Sequence, residues 1–309
     1  MPTNSQKTYF SNGKLLLSGE YAVLDGATAF ALPVNFGQTL EIKDIIPTNI
    51  LHWEAYVNNK LWFFAEIDTE TFTIIKTNIK SVAELLKKII IAGIELNNKF
   101  KNKLKSKIIT NLNFNRNWGL GSSSTLISNI AYWADIDPFN LFNSVFDGSG
   151  YDIAAARTSK PFLYYSKQEN QHFVKEVSFN NNFLESIYFI YLGNKQNSNE
   201  SILNYKKGRK FSRQQINEIS EISESMVKSK DLYNFEMLIN NHEKIISNII
   251  NETPIRNKYF SDFEGSIKSL GAWGGDFIMA VSNNGTDYID NYFRNKNLNV
   301  IFNYKQLTI

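Results

Sequence analysis

The 309-residue chain contains no cysteine. Disulfides, thiolate metal ligands and cysteine nucleophiles are therefore excluded together. Proline is scarce, with 6 residues, and glycine reaches only 16, so neither a collagen-like nor a Pro/Gly-rich disordered composition applies. No run of about 18 apolar residues occurs, and the opening MPTNSQKTYF lacks the apolar stretch of a signal peptide. The chain thus reads as soluble and cytoplasmic, with no membrane partner. Its three histidines, His52, His172 and His242, share no metal-ligand spacing. His242 lies on an apolar helical stripe and reads as a core or boundary residue. The net charge of +3 is small. Lys and Arg are scattered apart from NKFKNKLKSK and KKGRK, which read as solvated faces, and no basic–aromatic interleaving points to nucleic acid.

What is present is enough apolar material, 43% hydrophobic and 14% aromatic, to build a sizeable core. The length predicts two domains. GKLLLSGEYAVLDGATAFALPV and QTLEIKDII are strand-rich, and LHWEAYVNNKLWFFAEI predicts a hairpin turning at Asn58-Asn59. Val82, Leu85, Leu86, Ile89, Ile90 and Ile94 form a helical stripe between Ser81 and Leu96. KSKIITNLNFN predicts a strand, followed by a helix with Leu126, Ile127, Ile130, Ala131 and Ala134 on one face. Further on, SIYFIYLG reads as a strand. Two helices follow, carrying Ile216–Met226 and Leu232–Ile250, before a Gly-rich loop runs into the strand FIMAV. Runs rich in Asn and Lys, such as NNKFKNK and NYFRNKNLNV, read as surface loops. Segregated strands and helices imply an α+β class. The boundary falls in a soft zone around 155–185, giving domains 1–165 and 166–309.

At one strand-to-helix joint the chain reads Asn117-Trp-Gly-Leu-Gly-Ser-Ser-Ser-Thr125. A Walker A loop requires a lysine that is missing here. A dinucleotide fingerprint requires glycine where Ser124 stands, and a nucleophile elbow requires glycine where Thr125 stands. The physical content of the stretch survives all three failures. Glycines admit a ligand close to the backbone, and the first turn of a helix offers N–H groups and a positive dipole end to an anion. Taken alone, Gly-Ser before a helix is equally an ordinary N-cap.

Three other stretches accompany this one: GKLLLSGEYAVLDGATAFALP (Gly13–Pro33), GSGYDIAAA (Gly148–Ala156) and LGAWGGDFIMAV (Leu270–Val281). Together, in this order and across nearly the whole chain, the four resemble the motifs of the GHMP kinases. GEYAVLDGA resembles the mevalonate and phosphomevalonate kinases more than the galactokinases. GGDFIMAV and YLGNKQNSNESI resemble phosphomevalonate kinase forms, while Gly-Tyr-Asp-Ile-Ala resembles a bacterial branch of the superfamily. The resemblance implies an N-terminal domain like ribosomal protein S5 domain 2 and a ferredoxin-like C-terminal domain.

It also implies ATP-dependent phosphoryl transfer to a small hydroxyl or phosphate acceptor, with mevalonate or phosphomevalonate foremost and homoserine or a sugar as alternatives. Trp118, Gly119, Leu120, Gly121, Ser122, Ser123 and Ser124 would bind nucleotide. Asp152 and Lys14 would be catalytic. Glu20, Tyr21, Tyr151, Lys195, Ser198, Gly271, Ala272, Gly274 and Gly275 would meet the acceptor. Other readings stand beside these: Asp152 as a helix cap, Glu20 as the partner of a cation, and Lys195, Gln196 and Ser198 as a polar loop. The chain departs from the family pattern at Asn115, where proline is frequent, and at Trp273, which interrupts the last glycine run. No glutamate occurs in PFNLFNSVFDGSG, so Mg²⁺ would rest on Ser122 or Ser123, phosphate oxygens and water, or on Asp147. A non-catalytic nucleotide- or metabolite-binding protein of the same fold is the reading from another class. The implied partners are ATP and a small molecule, with the chain a monomer or homodimer.

Overall fold

The computed structural model describes residues 7–43, 49–167, 171–193, 198–208, 210–273 and 276–309. The chain divides into two compact units. Unit 1 takes the N-terminal stretch to Gly13, Phe36–Arg116 and Gly121–Arg157; unit 2 takes Lys14–Asn35, Asn117–Leu120 and Thr158–Ile309. A single cut near 165 differs from this division, because two early segments join the C-terminal part of the chain.

Strands β1 (Lys7–Ser18) and β2 (Ala29–Lys43) pair with each other, and each changes unit partway along. In unit 1 they are followed by β3 (Ile50–Val57), β4 (Lys60–Asp68), β5 (Ile74–Thr77), α1 (Lys80–Leu96) and β6 (Lys107–Leu112), then α2 (Ser122–Ala134), α3 (Pro138–Val145) and α4 (Tyr151–Arg157). The strand order is β5-β4-β3-β6-β2, with β3 and β6 parallel and the other pairs antiparallel. The β3–β4 hairpin turns at Asn58 and Asn59, with φ of 48° and 63°. Two left-handed residues make the turn whose twist matches that of the flanking strands, and asparagine tolerates that region. Along β3 the alternation places Leu51, Trp53 and Ala55 in the core and turns Glu54 outward to Lys107 at 2.7 Å.

Helix α1 buries Ala83, Leu86, Ile89, Ile90, Ala92 and Gly93. Leu85, expected on the buried stripe, is instead 38% exposed, because the face turned to the core follows Ala83 and Leu86. Helix α2 is seated by polar as well as apolar contacts. Its fully buried Asn129 donates to the Gln38 carbonyl at 2.9 Å, and Ser11 Oγ donates to Ser128 Oγ at 2.8 Å. Such paired groups in a dry core specify register, since leaving either one unpaired would cost its desolvation. Arg157 of α4 donates to Ser128 Oγ at 2.9 Å and lies over the Tyr132 ring.

Unit 2 adds β7 (Phe162–Lys167), β8 (Gln171–Glu176), β9 (Ile187–Tyr191), α5 (Ser198–Lys207), α6 (Arg213–Lys228), α7 (Leu232–Ile250), α8 (Ile255–Tyr259), β10 (Ser266–Ser269), β11 (Phe277–Val281), α9 (Gly285–Arg294), β12 (Ile301–Asn303) and α10 (Tyr304–Leu307). The first residues of β2 pair with β7, which pairs with β8. A four-stranded antiparallel sheet runs β10-β11-β9-β12. Every residue of β11, FIMAV, is buried, as befits a central strand covered on both faces. The helices α6 and α7 occur where their apolar periodicity places them. Helix α5, whose first residue Ser198 reads alternatively as part of a polar loop, has no apolar stripe strong enough to announce it.

Candidate active site

The glycine–serine stretch is divided between the units after Leu120. In unit 2, Trp118 sits among the rings of Tyr191, Phe277 and Phe302, at centroid distances of 6.4, 6.3 and 5.5 Å. Tyr191 donates its hydroxyl to the Asn117 carbonyl at 3.0 Å, and the Lys14 N–H donates to the Leu120 carbonyl at 3.0 Å. Gly119 has φ +68°, and any β-carbon there would run into the Asp276 carboxylate. This position therefore admits only glycine without rearrangement.

In unit 1, Gly121 takes φ 88° and opens α2, and no side chain caps the helix. The Ser124 hydroxyl donates back to the Gly121 carbonyl at 2.9 Å, and Thr125 Oγ1 donates to the Ser122 carbonyl at 3.0 Å. The Ser124 hydroxyl is thus spent on the turn itself, while that of Thr125 is shared between the turn and Gln38 Oε1, also at 3.0 Å. Ser122 is half-buried and Ser123 exposed. The uncapped first-turn N–H groups, with the dipole of a 13-residue helix behind them, suit a phosphate. Among the described residues no cluster of three or more His, Asp or Glu forms a metal cage. A hard cation here would rely on the Ser122 and Ser123 hydroxyls and on ligand oxygens, a set that Mg²⁺ with its retained waters accepts. Asp147 is exposed.

Tyr151 and Asp152, both half-buried, begin α4 in unit 1, after Gly150 at φ +82°. The Ile153 N–H donates to Asp152 Oδ1 at 3.1 Å, while the Gly150 carbonyl accepts from the Ile153 and Ala154 N–H groups. Asp152 is therefore inside the first helical turn, two residues beyond Gly150, which holds the capping position.

Unit 2 holds Lys14, Glu20 and Tyr21. Glu20 is 1% exposed and its carboxylate meets Lys268 Nζ, itself fully buried, at 2.6 Å. Around that pair stand Glu243 Oε1, 3.8 Å from Lys268, and His242 Nε2, 3.2 Å from Glu20 Oε2. His242 Nε2 also accepts the Gly19 N–H at 3.0 Å, as a neutral ring can. Burial, with Lys268 alongside, holds the His242 pKa well below its ordinary value. Burial raises the Glu20 carboxyl against the pull of Lys268 and Lys14, and raises Glu243 to about 7. One ammonium against two carboxyls is neutral only if one carboxyl keeps its proton, and Glu243 is the one suited to do so.

Tyr21 follows at an uncommon positive φ of 58°, with its phenol pushed up to about 12 by burial. It borders a cavity of about 690 Å³ within unit 2, together with Tyr205, Asn248, Asn251, Ser269 and Ala272. The cavity is of the size of small-molecule sites. Gly271 takes φ +63° with open space around it, and Trp273, at φ 28°, is buried beside the cavity. Ser198 is the first residue of α5. Lys195, Gln196, Gly274 and Gly275 lie outside the described residues. Sequence reasoning missed Lys268, Glu243 and Asp276. Of the three only Asp276, adjoining a glycine run, carried any local signal.

No protein-family model matches the chain, and no curated protein matches it in sequence. Solved structures do match. Streptococcus pneumoniae phosphomevalonate kinase, in complex with phosphomevalonate and AMPPNP, aligns at a TM-score of 0.72 and 17% identity, over 96% of this chain and 99% of that one. L. major mevalonate kinase in complex with R-mevalonate aligns at 0.64 and 15%, over 98% and 97%. Lactococcus lactis galactokinase complexed with galactose aligns at 0.68 and 11%, over 97% and 93%. The α+β fold of this chain is that of the GHMP kinase superfamily over nearly its full length.

Proposed function

We propose that the chain is an ATP-dependent small-molecule kinase, with mevalonate or phosphomevalonate as acceptor. The observation that carries this reading is the uncapped N-terminus of α2 behind two left-handed glycines, an anion site in a fold shared with kinases. The motif resemblances of Gly13–Pro33 and Leu270–Val281 favour the mevalonate-pathway acceptors over galactose or homoserine.

Phosphoryl transfer asks a protein mainly for positioning and charge neutralisation. The Gly119–Ser124 backbone would hold the β- and γ-phosphates, and Mg²⁺, when bound, would neutralise charge on the migrating group. Lys14 would stabilise negative charge on the transferred group, and Asp152 would orient the acceptor. For a hydroxyl acceptor Asp152 would also take the proton. A phosphate acceptor, with a second pKa of about 6, arrives largely ionised and needs only the orientation.

A competing reading, nucleotide binding without turnover, draws support from Trp273 within the last glycine motif and from the lack of a carboxylate cage among the described residues. A coupled ADP-release assay with Mg·ATP and mevalonate, phosphomevalonate, homoserine or galactose separates the two. Turnover on a mevalonate-pathway acceptor, reduced about 10²–10⁴-fold in Asp152→Ala, is expected for base catalysis on a hydroxyl. Nucleotide binding with no turnover on any of the four acceptors would favour the competing reading or a different acceptor.

A further inference from the structure

The buried polar cluster of unit 2 has no part in the chemistry just described, yet its members adjoin two stretches of the cavity wall. Glu20 immediately precedes Tyr21, and Lys268 immediately precedes Ser269; both Tyr21 and Ser269 line the cavity. Lys268 Nζ reaches Glu20 Oε1 at 2.6 Å and the Ser269 carbonyl at 2.9 Å, so one ammonium ties both stretches together. Ser269 Oγ in turn donates to Glu243 Oε2 at 3.1 Å. The turn is strained at Tyr21, whose φ is 58°, after Gly19 at φ 92°, where a glycine sits without strain. Backbone in that region persists only where its surroundings over-determine it. Here the surroundings are His242, which accepts the Gly19 N–H, and Ser223, which accepts the Ser18 hydroxyl at 2.7 Å.

We propose that Lys268 is a positioning residue, which through Glu20 and the Ser269 carbonyl fixes the Gly19–Tyr21 turn and thereby the shape of the cavity that takes the acceptor. The acceptor clause rests on the kinase reading; the fixing of the turn does not. Lys268 touches no ligand and acts through its neighbours.

The test is Lys268→Met, which strands the Glu20 carboxyl in the core without the ammonium that touches it. The groups facing that carboxyl are Lys14 on β1, His242 and Glu243 on α7, and Lys268 on β10. Without Lys268 it regains neutrality by binding a proton, so lowering the pH from about 8 to about 6 repairs the turn. Two readouts are used: hydrogen exchange of the peptide spanning residues 14–25, and the KM values for mevalonate or phosphomevalonate and for ATP. Expected at pH 8 are exchange at least tenfold faster in that peptide and an acceptor KM raised at least tenfold, with the ATP KM within twofold of wild type. Both effects shrink at pH 6. Unchanged exchange, or equal rises in the two KM values, overturns the proposal.

Should Lys268→Met fail to fold, the double variant Glu20→Gln/Lys268→Met removes both charges. It is expected to fold, with faster exchange in the same peptide at every pH; wild-type exchange overturns the proposal. If the wild type turns over neither acceptor, the kinase reading fails on its own, and the exchange readout still decides the role of Lys268.

Discussion

Two turns of this chain, Gly121–Thr125 and Gly19–Tyr21, both begin on a glycine at positive φ, yet they draw to different degrees on distant side chains. From Gly121 onward the first is closed by near neighbours: Thr125 N–H and Ser124 Oγ return to the Gly121 carbonyl, and Thr125 Oγ1 reaches the Ser122 carbonyl. The second also has backbone bonds of its own, from the Val23 N–H to the Gly19 carbonyl and from the Ala22 N–H to the Glu20 carbonyl, but it is held in addition by side chains 223 and 248 residues away, His242 to Gly19 and Lys268 to Glu20. A turn that satisfies itself locally can leave its outward N–H groups to a ligand. A turn that borrows distant charges is rigid only once those charges are desolvated together, and it fails when one of them is lost.

That asymmetry makes the largest expected effect Lys268→Met at pH 7. Removing one member of a buried pair leaves its partner uncompensated, and the loss is about 3–5 kcal/mol of unfolding free energy. Urea denaturation measures it. Glu20→Gln/Lys268→Met should recover most of the loss, since a neutral pair of similar volume has little to desolvate. A single variant as stable as wild type would mean that the cluster is wetter and looser than its burial indicates.

The same contrast governs what could be read from residue order alone. The hairpin at Asn58-Asn59, helix α1, the helix after Ser122 and the helical stripes of α6 and α7 follow from period and turn chemistry, which act between near neighbours. The glycine–serine stretch was legible for the same reason. Lys268 was not: it stands in SIKS among small and polar residues, and nothing local says that it is fully buried. His242 was placeable on an apolar stripe, but its bond to Gly19 depends on a meeting of segments that only the fold arranges. The division into units was hidden because β1 and β2 each pass from one unit to the other without a break in their strand pattern. Helix α5 went unseen because its apolar stripe is weak, so tertiary context decides its conformation.

A second test of the distant cluster uses its proton. Glu243 is raised from 4.5 in the free side chain to about 7 in the fold. The folded state therefore holds a proton that the unfolded chain has already released between those values. The stability that Glu243 contributes is fully present below about 4.5 and declines as the pH rises through about 7. His242 acts oppositely: its pKa is lowered in the fold, so stability is lost as the pH falls below its ordinary value of 6.5. Glu243→Gln isolates the first contribution. Relative to wild type, the variant should gain up to about 3 kcal/mol as the pH goes from 4.5 to 8, because each tenfold change in proton affinity between the folded and unfolded chain is worth about 1.4 kcal/mol. Urea midpoints across that range read it directly, and parallel curves for the two proteins would place the shared proton elsewhere.

The locally built loop should respond to mutation in function before stability. Gly119→Ala puts a methyl group at φ +68° and against the Asp276 carboxylate. The left-handed backbone alone costs about 1–2 kcal/mol, well below the loss expected at Lys268. Yet the loop must shift to accommodate the methyl, and the N–H groups that receive a phosphate shift with it. Affinity for a non-hydrolysable ATP analogue, measured by calorimetry, should fall at least tenfold, or about 1.4 kcal/mol. Ser123→Ala, on the exposed face of the same turn, is the control for side-chain loss without backbone movement. If Gly119→Ala binds the analogue as wild type does while losing stability, the left-handed glycine serves only the packing of Asp276, and the anion site lies elsewhere in the chain.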